Sequence, residues 1–341
     1  MTSLRDVAKA AGVSTATVAR VLDNTAHVSA ELADRVGSVV TELGYVRNAV
    51  AKSLSTGRTG LIGVLVRDIT NPFYSQVVRG IEDVVGSGGY LVLVCSSDFD
   101  EDREQRLISR FMTRLVDGVA LSVGSEGEER LERMAEHGVP VVLFDSRVAR
   151  RAGSLISAIG IDNYDAGFRA AMHLVSLGHT NLAVLAGAGG GTTASERRDG
   201  FFGACLETGV QVQGFAIDES LGVIGGVRTM MDALSGSPRP TGVFAYNNLF
   251  TVGAVQAARA MRMRIPDDVS LIGFDDMDLF NMMDPPLSVL AQPAYDIGTR
   301  VGERLLLRIG GESGEMPDEV LKAELTLRGS TGRVRSASGS R

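Results

Sequence analysis

Several side chains able to do chemistry stand directly behind apolar runs. Asp145 follows Val141-Val-Leu-Phe144, Asn247 and Asn248 follow Val243-Phe-Ala-Tyr246, and Asp275 follows Leu271-Ile-Gly-Phe274. Arg197 lies in a polar run that opens a helix containing Gly200-Phe201-Phe202. Carboxylates, amides and a guanidinium at strand ends suit a ligand rich in hydroxyls, because each hydroxyl both donates and accepts. Phe73 offers a ring for the C–H face of a sugar. A single Asp or Asn at a strand end is more often a helix cap or turn residue. Four such positions converging on one cleft weigh against that reading for the set.

Catalytic chemistry finds less support. Gly187-Ala-Gly-Gly-Gly191 follows a strand and precedes a helix, but Thr192 stands where a third dinucleotide-loop glycine belongs, and no Gly-Lys-Ser/Thr follows. The segment reads as a flexible cleft loop. Asp275-Asp276-Met-Asp278 offers three carboxylates without the spacing of a calcium loop. His27, His137, His173 and His179 are scattered, with neither metal spacing nor a nucleophile motif, and His179 reads as structural. No catalytic residue, metal or cofactor is expected.

The elements that position these residues follow from periodicity. Apolar runs at 61–66, 90–95, 118–122, 139–144, 157–161, 182–186, 215–217, 242–246, 270–274 and 288–291 alternate with helical patterns such as 73–85, 100–113, 127–137, 164–177 and 248–263. Such alternation predicts an α/β body of two doubly wound parallel-sheet lobes with a ligand cleft at the strand C-termini. Lobe 1 is expected at about 60–160 plus 292–318, with a helix at 294–309. Lobe 2 is expected at about 161–291 plus 319–330, and a disordered tail at 331–341.

Residues 1–46 read differently. Leu4, Val7, Ala8 and Ala11 share a helical face closed by Gly12, Ser14 caps a second helix over 15–22, and Ser29 caps a third over 30–43. Two short helices joined by a tight turn form a helix-turn-helix, whose second helix fits the major groove. There Arg20 can pair bidentately with guanine, Thr15 can bond a base edge or phosphate, and the Ala16 methyl can touch thymine. A helical hairpin of an ordinary all-α protein has the same periodicity.

Composition bounds these readings. The chain has 341 residues, 44% hydrophobic and 22% charged, close to the soluble globular average. Its only cysteines, Cys95 and Cys205, exclude a disulfide scaffold. Apolar runs of about six residues fall far short of a bilayer span, and the start lacks a secretory pattern, so a cytoplasmic protein with no membrane contact is expected. The net charge of −7 argues against a nucleic-acid binder when taken whole. By segment it is asymmetric: residues 1–60 hold seven basic and five acidic residues, a net of +2, leaving 27 of 34 basic and 36 of 41 acidic residues, a net of −9, in the remainder.

The string Leu4-Arg-Asp-Val-Ala-Lys-Ala-Ala-Gly-Val-Ser-Thr-Ala-Thr-Val-Ala-Arg-Val-Leu-Asp-Asn24, then His27-Val-Ser29 and Leu43-Gly-Tyr45, closely resembles the DNA-binding headpiece of the LacI/GalR family. Asn48-Ala-Val-Ala-Lys-Ser-Leu54 resembles its hinge helix, which places a hinge and linker at 47–59. In the body, Asp68-Ile-Thr-Asn-Pro-Phe-Tyr74, Leu177-Gly-His-Thr180, Gly273-Phe-Asp-Asp276 and Pro285-Pro-Leu287 resemble the family's periplasmic-binding-protein-type domain. The resemblance implies a homodimeric, sugar-responsive regulator of carbohydrate genes, expected to be a repressor, on a pseudo-palindromic operator of double-stranded DNA. It implies DNA contacts from Leu4, Ser14, Thr15, Ala16, Thr17, Arg20, Asn24, His27, Tyr45, Asn48, Ala51 and Lys52, with Leu54 as a minor-groove wedge. It implies effector contacts from Asn71, Phe73, Ser122, Asp145, Arg197, Asn247, Asp275 and Gln292. The chain departs from the family pattern at Ala19, at Val46-Arg47 where a proline usually precedes Asn48, at Lys52, at Asn248 where an Asp is usual, and in 218–222, where many relatives place an aromatic. The alternatives are a cytosolic sugar-binding protein without DNA activity and a nucleotide-dependent enzyme on the same sheet type.

Overall fold

A computed structural model describes residues 2–23, 28–46, 53, 57–124, 128–146, 156–188 and 192–334. The chain divides at Thr59 and Gly60 into two compact units.

The first unit holds α1 (Leu4–Ala11), α2 (Thr15–Asp23) and α3 (Ala30–Glu42). Ser3 and Asp6 form a capping box on α1, each side chain accepting from the other's backbone N–H. This bonding to Ser3 holds the Asp6 carboxyl below the usual range. Gly12 ends the helix at φ 67°, and Ser14 Oγ accepts from Thr17 N at 3.1 Å to start α2. Val7, Ala8, Ala11, Val18 and Val36 are buried together, with Leu4, Val21, Leu22, Leu32 and Tyr45 packed around them. The apolar faces read from the helical periodicity meet in this core.

The second unit is α/β. Its elements are β1 (Leu61–Val66), α4 (Pro72–Ser87), β2 (Leu91–Ser96), α5 (Glu101–Arg110), β3 (Gly118–Leu121), α6 (Glu128–Glu136), β4 (Val141–Phe144) and β5 (Ser157–Ile161). They continue as α7 (Asn163–Ser176), β6 (Asn181–Gly187), α8 (Thr192–Thr208), β7 (Gln211–Ile217), α9 (Gly222–Ser235), β8 (Gly242–Ala245), α10 (Asn248–Ala260) and β9 (Ser270–Phe274). The chain closes with α11 (Asp278–Met282), β10 (Ser288–Ala291), α12 (Ala294–Ile309), β11 (Glu319–Leu321) and β12 (Glu324–Thr326). The strands form two sheets, ordered β11-β5-β4-β3-β1-β2 and β12-β10-β9-β8-β6-β7. All pairings are parallel except β10 with β12. β3, β4, β8 and β9 are buried along their whole length, as helices on both sheet faces require. In each sheet the order reverses around one strand, β1 or β6, and side chains beyond the strand C-termini gather there.

Three expectations are corrected. The final crossing between lobes does not fall at 318. β11 pairs with β5, so residues 319–321 belong to the first sheet and only β12 returns to the second. Polar Lys322 and buried Ala323 lie between these strands, and strands this short leave little apolar pattern to read. The tail does not begin at 331: Thr331 Oγ1 meets His173 Nε2 at 3.0 Å, and the Gly332 carbonyl meets His179 Nε2 at 3.0 Å. Finally, the helix read over 100–113 is α-helical only to Arg110 and continues as one π turn, Phe111–Leu115, which buries Phe111.

Candidate functional site

In the first unit, Ser14, Thr15 and Ala16 are exposed at the start of α2, and Arg20 is exposed in its last turn. Thr17 is spent locally, its hydroxyl 2.8 Å from Ser14 Oγ. Leu4 and Tyr45 are half-buried against the helical core, so packing occupies much of both side chains. Thr15, Ala16 and Arg20 are free to enter a groove. Asn24, His27, Asn48, Ala51, Lys52 and Leu54 lie outside the described residues.

In the second unit the strand ends of both lobes converge on a closed cleft. Three polar pairs cross it. Asn248 Nδ2 donates to Asn71 Oδ1 at 2.7 Å. Arg67 Nη1 lies 3.1 Å from Glu219 Oε2. Arg197 Nη2 lies 3.5 Å from Asp145 Oδ1, close enough for an ion pair but too long for a good hydrogen bond.

Each member has a local reason to be where it is. Asn71 caps α4, accepting from Phe73 N at 2.9 Å, which aims its amide across the cleft. Asp145 turns off β4 at φ 47°. The Tyr74 hydroxyl donates to Asp145 Oδ2 at 3.0 Å, so its single proton is used and it accepts from Ser122 Oγ at 3.2 Å. Arg197 lies over the Phe274 ring at 3.7 Å, and it donates from Nε to Asn163 Oδ1 at 2.8 Å and from Nη1 to the Tyr246 carbonyl at 3.0 Å. Gln292, just beyond β10, donates to Asp275 Oδ1 at 2.8 Å. Glu219 sits where the backbone of Gly187 leaves room for it, since a Cβ at Gly187 would overlap its side chain.

Burial sets the electrostatics. It pushes the carboxyls of Asp145, Glu219 and Asp275 upward, against the opposing pull of Arg197, Arg67 and Arg197 respectively, and Asp275 reaches about 6. Burial works against the charge of Arg67, but Glu219, with Tyr74 and Asp145, outweighs it and raises the guanidinium. Burial also raises the Tyr74 and Tyr246 phenols well above their ordinary value, so both are neutral at physiological pH.

Of the effector residues expected from sequence, Asn71, Phe73, Ser122, Asp145, Arg197, Asp275 and Gln292 all border this cleft or touch residues that do. Asn247 is used differently: its Oδ1 caps α10 through Phe250 N at 2.8 Å, and its neighbour Asn248 makes the cross-cleft bond. Sequence reasoning passed over Arg67, Tyr74, Asn163 and Glu219. A signal for two of them was present, because Arg67 directly follows an apolar strand and Glu219 lies in the stretch that lacks the family's aromatic. A cavity of about 520 Å³ opens beside the cleft, lined by residues that include Phe73, Gln76, Asp275, Asn281 and Gln292. A second void of about 20 Å³, enough for one water, touches Asp145, Asn163 and Gln292. Among the described residues no group of three or more His, Cys, Asp or Glu is placed to hold a metal ion, and no helix is long and apolar enough to cross a membrane.

Known proteins share both units. The family described as "Bacterial regulatory proteins, lacI family" matches residues 3–48, and the "Periplasmic binding protein-like domain" matches residues 171–331. The HTH-type transcriptional regulator DegA of Bacillus subtilis is 34% identical over 97% of this chain and 98% of its own. The crystal structure of the lac repressor dimer bound to operator and the anti-inducer ONPF superposes with a TM-score of 0.83 at 26% identity, covering 97% of this chain and 99% of that one. A LacI family transcriptional regulator from Enterococcus faecium with bound ribose gives a TM-score of 0.72 at 27% identity, covering 81% of this chain and all of that one. With a helix-turn-helix and a two-lobed cleft both present, and likeness to relatives running nearly end to end, the chain belongs to the lacI family of bacterial regulatory proteins.

Proposed function

We propose that this ligand-responsive DNA-binding regulator acts in the cytoplasm as a homodimeric repressor of carbohydrate genes, switched by a sugar in the interlobe cleft. The observation that carries the reading is one chain joining an exposed Thr15, Ala16 and Arg20 face to a cleft whose polar side chains come from the strand ends of both lobes. A two-fold protein reads two half-sites, so the operator is pseudo-palindromic. Arg20 pairs with guanine while Thr15 and Ala16 contact neighbouring groups in the major groove. Among the cleft residues, Arg197 carries most of the response, because its side chain touches Asn163 and Tyr246 of its own lobe and Asp145 of the other. A ligand that changes this set binds the open and closed states unequally, which a switch requires. The ribose bound to the Enterococcus faecium relative supports a sugar as effector.

Two variants test the two halves separately. Arg20→Ala weakens operator binding by about 1–3 kcal/mol and relaxes one base position in a binding-selection assay. Arg197→Ala keeps operator binding in a gel shift but loses release by effector. An unchanged base preference in the first removes Arg20 from base readout, and normal release in the second places the effector elsewhere.

A further inference from the structure

The charges of the cleft restrict what it can take. Among the described residues, each guanidinium of the cleft already has its own carboxylate: Arg67 is paired with Glu219 and Arg197 with Asp145. Asp275 remains as a third carboxylate, held by the uncharged amide of Gln292. An anionic ligand must therefore displace an internal carboxylate from an arginine or share a low-dielectric space with an excess of negative charge. The adjoining cavity of about 520 Å³ adds no cation: among the described residues that line it, Asp275, Asp276 and Asp278 are acidic and none is Lys or Arg, with Asp276 paired to Arg328 beside it.

The unused valences of the cleft agree. Glu219 Oε1, Asn248 Oδ1 and Arg197 Nη2 are buried without a hydrogen-bond partner, and all three belong to the second lobe. Glu219 is 5%, Asn248 0% and Arg197 4% exposed. They are two acceptors and one donor on that wall, and a buried polar group left unpaired is costly. Hydroxyl groups satisfy all three, because a hydroxyl donates to a carboxylate or amide oxygen and accepts from a guanidinium. Carboxylate and phosphate groups offer acceptors only and leave the two oxygens unmet.

Resting on the reading of this cleft as a sugar site, we propose that its ligand is a polyhydroxy compound without an anionic group, an aldose, polyol or amino sugar, and that Glu219 is the residue that rejects sugar acids and sugar phosphates. Glu219 does so twice over. It accepts a donor from the ligand through its free oxygen, and its charge neutralises the cation, Arg67, that an acid would otherwise seek.

The test is a thermal-shift panel on the full chain, using matched sets of hexoses and pentoses: each aldose with its polyol, amino sugar, aldonate or uronate, and phosphate. Wild-type protein responds to an uncharged or amino member, and the matching acid and phosphate bind at least about tenfold more weakly. In Glu219→Gln the Arg67 charge is left unmatched, so the parent sugar weakens and the acid gains by about tenfold. An acid or phosphate that shifts wild type as much as its parent sugar overturns the inference while leaving the sugar reading intact. A panel without any shift, from protein that still binds its operator, overturns the sugar reading and this inference with it. Where Glu219→Gln fails to fold, the wild-type panel alone decides.

Discussion

Asp275 shows how much one buried carboxyl can report. It is 5% exposed, turns off β9 at φ 60°, and has its carboxyl raised to about 6 by burial, with Arg197 and Gln292 pulling the other way. Raised above its ordinary value, this group contributes stability that is full below about pH 4 and lost as pH rises through about 6. Asp275→Asn keeps an oxygen for Gln292, tolerates the left-handed backbone and removes the charge. The variant is therefore expected to be more stable than wild type by about 1–3 kcal/mol near pH 7.5, with the gain shrinking as pH falls through about 6 and gone below about pH 3.5, in paired urea melts. A gain independent of pH would show that Asp275 carries no penalty of ionisation. Asp145, Arg197 and Asp275 were legible in the sequence because each stands beside an apolar strand or opens a helix. The pairing of Arg67 with Glu219 was not, because nothing local in either segment names a partner in the other lobe. The exchange of roles between Asn247 and Asn248 turns on a single residue in the start of α10, finer than periodicity resolves.

At the scale of elements, the position of Arg197 depends on how closely α7 and α8 cross. Gly167 of α7 lies against the backbone of Arg197, and a Cβ there would run into the Arg197 carbonyl oxygen. The contact is backbone on backbone, so no side chain can turn aside to relieve it. Gly167→Ala is expected to push the helices apart, to lower stability by about 1–3 kcal/mol, and to cut effector affinity by displacing the guanidinium from Phe274 and Asp145. Chemical melts and effector titration of one preparation check both. Normal effector affinity in a destabilised variant would separate the crossing from the site. The alternation of apolar runs and amphipathic helices made the two sheets legible, and four strands were read with their observed bounds: β1, β5, β9 and β10. The regions that resisted were those with the least periodic signal. α9 begins in Gly222-Val-Ile-Gly-Gly226, a stretch of weak helix formers, and β11 and β12 are three residues each.

At the scale of the whole molecule, charge is divided between two tasks that respond to salt in opposite ways. The first sixty residues carry a net +2 and the remainder −9. That division is legible by adding charges segment by segment, although the total of −7 points the other way. DNA binding releases counterions, so the logarithm of operator affinity falls linearly with the logarithm of salt, with a slope near −0.9 for each phosphate neutralised. An acidic body gives non-operator DNA little to hold and keeps sequence-blind binding weak at physiological salt. The cleft differs because its ion pairs are buried, Arg67 and Glu219 being 14% and 5% exposed, and buried pairs are screened far less than surface ones. One titration series separates the two. Between about 50 and 200 mM salt, operator affinity is expected to fall by more than about tenfold, while the affinity for an uncharged effector changes by less than about twofold. An effector affinity that falls in parallel with operator affinity would mean that the cross-cleft pairs are open to solvent when the ligand binds. Tight sequence-blind DNA binding at the higher salt would mean that the acidic body does not limit the heads.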